Sequence, residues 1–438
     1  MTVRAHPAAK LTRPRIESDR SGPAHLYFAA LAVAACGALS QLSVKMIGDM
    51  PVGEPLFLVV ATIFFLLRGT GPNFSPSLFW MFFVTGMMMV VGYVISDLVA
   101  VTGPSQYLRG WARVFMMVAD CIAVQVVVSH GRRYLWWFVT GMALAILFAN
   151  LANGVPLTMI AWKSSGYGIA IGILVALACG YLPPLAAGAA FCGFGLFSVM
   201  LDFRSLGGIF LLGGVLLVVR ALSGGRARFP VLRVSAMIVV IVAAIGALGL
   251  ALGGSDDEYF ERRLESNSGR YLGLIVATRA IIDSPLIGYG SWAADKRYTE
   301  VLKREAARAS MRTRRPLEFG DSMLPHSQVL QAWVEGGVLG ALFFLVYGVG
   351  ILRSVLWLAH RHEPGPMTPL LLVILVLGAW NLVASPFLGT HRIFIMLVIA
   401  AIALLAAERR YSRAGLRQAG RPPTRAGSVP PRSPVLPP

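Results

Sequence analysis

Apolar runs of about twenty residues recur along this chain, separated by short polar breaks, and no other feature limits the fold as strongly. A hydrocarbon layer roughly 30 Å thick is crossed by about 20 residues of helix. Within it every backbone N–H and C=O must bond internally, so a single crossing run is helical. Windows of that size give twelve candidate spans, at 26–44, 54–67, 77–98, 109–129, 134–153, 166–180, 183–200, 206–221, 232–252, 329–352, 368–385 and 391–407. Turn chemistry marks the breaks, as in Gly48 to Pro55, Arg68-Gly-Thr-Gly-Pro72, Gly180-Tyr-Leu-Pro-Pro184 and Ser385-Pro386. Composition excludes a soluble globule. Of the 438 residues 56% are hydrophobic and 14% charged, with mean hydropathy +0.68, against about 25% charged in soluble chains. The expected class is all-α: a polytopic integral membrane protein of about twelve transmembrane helices.

The net charge of +18 comes from 39 Lys and Arg against 21 Asp and Glu. Its placement matches membrane topology rather than nucleic-acid binding. Arg4, Lys10, Arg13, Arg15 and Arg20 precede the first span, and Arg68, Arg132, Arg133, Arg220 to Arg233, Arg353 and Arg361 fill alternate loops. Arg409, Arg410, Arg413, Arg417, Arg421, Arg425 and Arg432 follow the last span. Basic loops stay cytoplasmic, so both termini are expected inside. Val33-Ala-Ala-Cys36 has the look of a lipoprotein processing box, but the apolar run continues to Val44 and reads as a retained first helix. The four cysteines, Cys36, Cys121, Cys179 and Cys192, lie in apolar runs without metal-ligand spacing.

The expected organisation is a basic cytoplasmic tail at 1–25, nine spans within 26–252, a large loop at 253–326, three spans within 327–407, and a Pro/Arg-rich disordered tail at 408–438. The loop is too polar for lipid and too long for a turn, and in it twelve Lys and Arg face eleven Asp and Glu. Charge alternation places it outside, between the ninth and tenth spans. Two stretches read as helices, 268–283 and 293–308, around the turn Ser284-Pro-Leu-Ile-Gly-Tyr-Gly290. Loops of this length are usually functional.

Signatures of soluble enzymes are missing: no Walker A loop, no Rossmann glycine pattern, no His-Glu-x-x-His and no nucleophile elbow. Asp256-Asp257-Glu258 reads either as a divalent-cation site or as an acidic helix start, and the helix start is preferred. The loop from Lys45 to Glu54 offers Asp49 without a second acid two residues away, which argues against a metal-dependent transferase with an Asp-x-Asp pair. No metal and no cofactor are expected.

What remains is a set of outward cations and one histidine. His326 follows Pro325 where the polar loop meets the tenth span. Of the other six, His6 and His25 lie at the N-terminus, His130, His360 and His362 in inner loops, and His391 outside beside Arg392. A lone interfacial histidine has a structural reading. A neutral imidazole among arginines has a second: it accepts a proton from an attacking hydroxyl, while guanidinium groups hold phosphate oxygens through paired donors. Arg204 sits in the turn between the seventh and eighth spans and reads either as a local pair with Asp202 or as a phosphate ligand. Arg109 and Arg113 open the fourth span and read as interfacial snorkelling residues. Asp120, mid-way along that span, is costly unless paired and is expected to face the bundle interior. Glu335 lies about 13 Å along a continuous helix from His326, so it reaches the imidazole only if Gly336-Gly337 breaks that helix.

The stretch Ser284 to Gly290, followed by Pro325-His-Ser-Gln-Val-Leu-Gln-Ala-Trp-Val-Glu-Gly-Gly337, resembles the O-antigen ligase and O-antigen polymerase superfamily. His326, ten intervening residues and Gly337 resemble its histidine motif, with Gly288 and Gly290 as structural motif glycines. Asn267-Ser-Gly-Arg270 and Phe203-Arg-Ser-Leu-Gly-Gly208 are similar to its arginine regions, with Phe203 replacing the usual serine. These motifs cover about 200–345. The resemblance implies a metal-independent, inverting glycosyltransferase outside the bacterial cytoplasmic (inner) membrane. Its donor would be a glycan on undecaprenyl diphosphate, its acceptor a glycan or lipid A–core hydroxyl. It makes His326 the base, and Arg204 and Arg270 the diphosphate ligands, with Arg279 a weaker candidate. Exopolysaccharide polymerases share the architecture. A transporter or flippase would need paired ionisable residues at mid-membrane and repeated halves, and here Asp120 is essentially alone. A non-catalytic scaffold would leave His326 replaceable.

Overall fold

The computed structural model describes residues 23–46, 48–156, 162, 166–201, 203–222, 257–313, 325–360, 365–388 and 391–419. The first five helices are α1 (Pro23–Leu39), α2 (Gly53–Arg68), α3 (Pro76–Ala100), α4 (Pro104–Ser129) and α5 (Arg133–Ala152). Next come α6 (Tyr167–Ala178), α7 (Pro184–Met200) and α8 (Arg204–Leu222). The loop region holds α9 (Asp257–Asp283) and α10 (Lys296–Thr313), and the chain returns to apolar helices in α11 (Gln328–His360), α12 (Thr368–Ala384) and α13 (His391–Ala419). Eleven of the twelve expected spans coincide with helices. The ninth, 232–252, lies outside the described residues.

Among the described residues six helices are long and apolar enough to cross a membrane: α3, α4, α5, α8, and the stretches Gln328–Ala359 and His391–Ser412. Shorter apolar helices cover Tyr27–Leu39, Tyr167–Tyr181, Pro184–Met200 and Thr368–Ala384. The chain is a multi-pass, all-α membrane protein. Its main core buries apolar side chains of nearly every apolar helix, among them Phe82, Met89, Tyr134, Phe191, Phe343 and Ile399. Pro opens α3, α4 and α7 in their first turns, where its missing N–H costs nothing.

Two features depart from the sequence reading. Between α1 and α2 a short antiparallel hairpin pairs β1 (Ser43–Met46) with β2 (Gly48–Pro51). α9 is already helical at Asp257, eleven residues before Ser268, and Asp256 lies outside the described residues.

The loop helices form a second, smaller core. Leu272, Val276, Ala277 and Ala280 of α9 meet Tyr298, Val301 and Leu302 of α10, together with Tyr289 and Val334. Val334 belongs to α11, so this cluster seats the loop on the membrane domain at one end of the bundle, here called the loop end.

Candidate functional site

α11 is one element by hydrogen bonding but two by geometry. Gly337 interrupts it with φ +66° and ψ −161°. A side chain there would be strained by that φ and would run into the Leu286 carbonyl. The break releases carbonyls from the helix ladder, and the turn after α9 takes them up: Tyr289 N donates to Val334 O (2.7 Å) and Gly290 N to Glu335 O (3.1 Å). Gly288 lies so close to the Glu335 carbonyl that a Cβ would overlap it. Gly288, Gly290 and Gly337 are therefore the two halves of one joint between loop and span.

The joint is fixed to α3 and α4 as well. Gly288 N donates to Ser96 Oγ at 2.9 Å. Asp97 accepts from Ser291 N (2.6 Å), Ser291 Oγ (2.7 Å) and Trp111 Nε1 (2.8 Å). These bonds hold Trp292 and Ala293 at φ +63° and +50°, a region costly for residues other than glycine. They also set the Trp292 ring 4.4 Å from the Arg113 guanidinium carbon.

Arg113 is not a snorkelling residue. It is 2% exposed and paired with Glu335, itself fully buried. Tyr93 Oη donates to the same carboxylate at 2.7 Å and Gln331 Nε2 at 2.9 Å, while Arg113 Nη1 donates to Phe387 O at 2.8 Å. Gln331 Oε1 accepts from Phe387 N at 2.6 Å. Gly337 does break the helix, yet the Glu335 carboxylate is taken by Arg113, Tyr93 and Gln331. A paired, multiply bonded charge is the form in which a buried carboxylate is tolerated. Arg109 stays exposed, its Nε donating to Ser105 O at 2.8 Å.

His326 stands just before the first turn of α11. Pro325, Ser327 and Gln328 around it are buried while His326 is exposed. Ser327 Oγ donates to Leu382 O at 2.9 Å, tying this start to the last turn of α12. Partial desolvation, and then the Arg270 guanidinium, hold the His326 imidazole below its ordinary proton affinity. Arg270 lies on the exposed side of α9. Gln328, two residues on, is fully buried with neither amide atom bonded among the described residues. It shares a face with Gln331 and Glu335, so a polar stripe runs from the histidine end toward Arg113.

Of the three arginines singled out from the sequence, Arg270 is the one whose charge bears on His326. Arg279, about two and a half turns beyond Arg270 on α9, pairs with Asp283 at 3.4 Å on the surface. Arg204 is the first residue of α8, and Asp202 lies outside the described residues. α8 packs on α12, with Gly213 against Leu372. No group of three or more potential metal-ligating side chains occurs among the described residues.

Asp120 faces the bundle interior as expected, at 1% exposure. It is not paired: neither carboxylate oxygen has a hydrogen-bond partner among the described residues. Nearby, Arg392 holds Glu54 through two bonds, Nε at 3.0 Å and Nη2 at 2.6 Å, and both side chains are buried.

Residues 189–345 match the family model described as O-antigen ligase. This match supports a relation to the O-antigen ligase superfamily. The match takes in α8, the loop helices, the Gly288–Gly337 joint and His326. A search of curated proteins found no match. The match supports glycan transfer of the ligase or polymerase type.

Proposed function

We propose that this protein transfers a glycan from undecaprenyl diphosphate to an acceptor hydroxyl at the outer face of the bacterial cytoplasmic membrane, in the manner of an O-antigen ligase. The observation that carries this reading is an exposed imidazole set among buried residues where the loop meets α11, its affinity for protons lowered by partial desolvation and then by the Arg270 guanidinium. Neutral His326 takes the proton of the acceptor hydroxyl. The oxygen attacks the anomeric carbon from the face opposite the leaving group, the C–O bond to the diphosphate breaks, and configuration inverts. Arg270 and Arg204 hold the diphosphate oxygens and offset the charge that grows on them. Arg279 is the weaker third candidate, since Asp283 already occupies it. No metal is required, and orientation puts both termini in the cytoplasm with 253–326 outside.

The test is a purified-protein transfer assay. His326→Ala is expected to abolish transfer with membrane expression intact, and transfer at the normal rate by that variant would overturn the mechanism. A deletion strain separates two acceptors. Undecaprenyl-linked polymer accumulating without reaching the lipid A–core marks a ligase, and accumulation of single repeats marks the O-antigen or exopolysaccharide polymerase reading.

A further inference from the structure

Three buried ionisable groups meet where α2, α4 and α13 pack together, away from the Gly288–Gly337 joint. Glu54 comes from the first turn of α2, Arg392 from the first turn of α13, and Asp120 from the middle of α4. Their exposures are 3%, 5% and 1%. Glu54 and Arg392 form a bidentate pair, and Asp120 lies near enough to feel both charges. The three share one layer. One helical turn further on, Phe57 (from Glu54), Val124 (from Asp120) and Met396 (from Arg392) line a single small apolar cavity. An apolar cavity of this kind stays dry, so it offers no solvation to the carboxylates next to it.

Charge counting then decides the state of the layer. One guanidinium faces two carboxyl groups, and its Nε and Nη2 donate to Glu54. With both carboxyls ionised, the layer would hold an uncompensated negative charge within the membrane domain, a strongly unfavourable state. The Arg113 network shows how the same chain carries an extra carboxylate when it needs one: Asp97 accepts three hydrogen bonds. Asp120 accepts none among the described residues. One bound cation balances the layer, and the smallest needs no room in a packed core. We infer that Asp120, with the Glu54–Arg392 pair, forms an intramembrane proton-binding site that holds one proton and is neutral as a layer. Intramembrane acids of this kind mark proton or ion sites.

Other groups face this site only from a distance. On α4 the neighbour is the Cys121 thiol, which Tyr347 of α11 faces. Tyr93 and Asp97 of α3 are engaged with Glu335 and Ser291 at the joint, and Arg133 and Tyr134 of α5 bond to each other. His391 precedes Arg392, and its buried Nδ1 has no partner among the described residues.

The full chain in lipid nanodiscs tests this without a transfer assay. At about pH 8, ordinary carboxyls with reference values near 4 are ionised. An infrared carboxylic-acid C=O band should nevertheless persist in the wild type and vanish in Asp120→Asn. A native state that keeps one proton the unfolded chain gives up loses stability as pH rises. The unfolding equilibrium of the wild type should therefore shift toward the unfolded form by about tenfold per pH unit between about pH 6 and pH 9, and Asp120→Asn should lack that component. Absence of the infrared band in the wild type overturns the proposal even if the variant does not fold. So does an equal pH slope in both proteins. Stabilisation of the wild type by sodium chloride but not choline chloride at high pH, lost in Asp120→Asn, would assign the site to a metal cation instead.

Discussion

Removing the Arg270 guanidinium relieves a charge that disfavours the imidazolium of His326. In Arg270→Gln the histidine should hold its proton to higher pH. Because the neutral ring is the base, the acid limb of the rate profile should move upward in pH, alongside a weaker hold on the diphosphate. A pH–rate series at saturating donor checks this, and an unmoved limb would separate the two residues. Gly337→Ala meets both a left-handed φ and the Leu286 carbonyl. It should cost on the order of 1–3 kcal/mol or more, read as a drop in unfolding temperature. Histidine and glycine alike were legible in the sequence, because a polar loop running into an apolar run and a Gly-Gly pair inside a span are local signals. Arg113 was not. Positive charge at a span end is weighed against the side of the membrane, and its true partner lies 222 residues away. Gln328 and Gln331 gave no signal either, since glutamine in an apolar helix shows its role only by what it touches.

Breaking the Arg113–Glu335 pair leaves a buried charge exposed to nothing that compensates it. Arg113→Met or Glu335→Leu alone should destabilise by about 3–5 kcal/mol. The double replacement should lose less than the sum, which a thermal-unfolding double-mutant cycle measures. The spans themselves were readable as apolar runs, and the described helices agree with the expected limits to within about five residues, except that α11 continues to His360 and α13 to Ala419. The first half of α9 escaped because a polar stretch such as Asp257 to Ser268 carries no apolar periodicity to mark it. The β1–β2 hairpin, four residues a strand, is too short to show an alternation. Gly290, expected as a motif glycine, turned out to share its joint with two consecutive left-handed residues, a backbone state no composition reveals.

Across the whole molecule, charge placement predicts an orientation that fusions can read. Alkaline phosphatase joined within 253–326 should be active, and joined after Arg410 it should be inactive; the reverse pattern would invert the topology. Glycan transfer should continue in excess chelator, and loss of activity restored by Mg²⁺ or Mn²⁺ would count against a His–Arg mechanism. Span number is less legible than class, because Tyr167–Tyr181 and Thr368–Ala384 are shorter than a full crossing. Length alone does not decide how such segments sit. The seam between Gly288-Tyr-Gly290 and the broken helix has one mechanical result. The segment after α9 is bolted to the same short rod that ends in His326, by bonds at Val334 and Glu335. Any breathing of the extramembrane part must carry the turn after α9 and the start of α11 along as a single jaw.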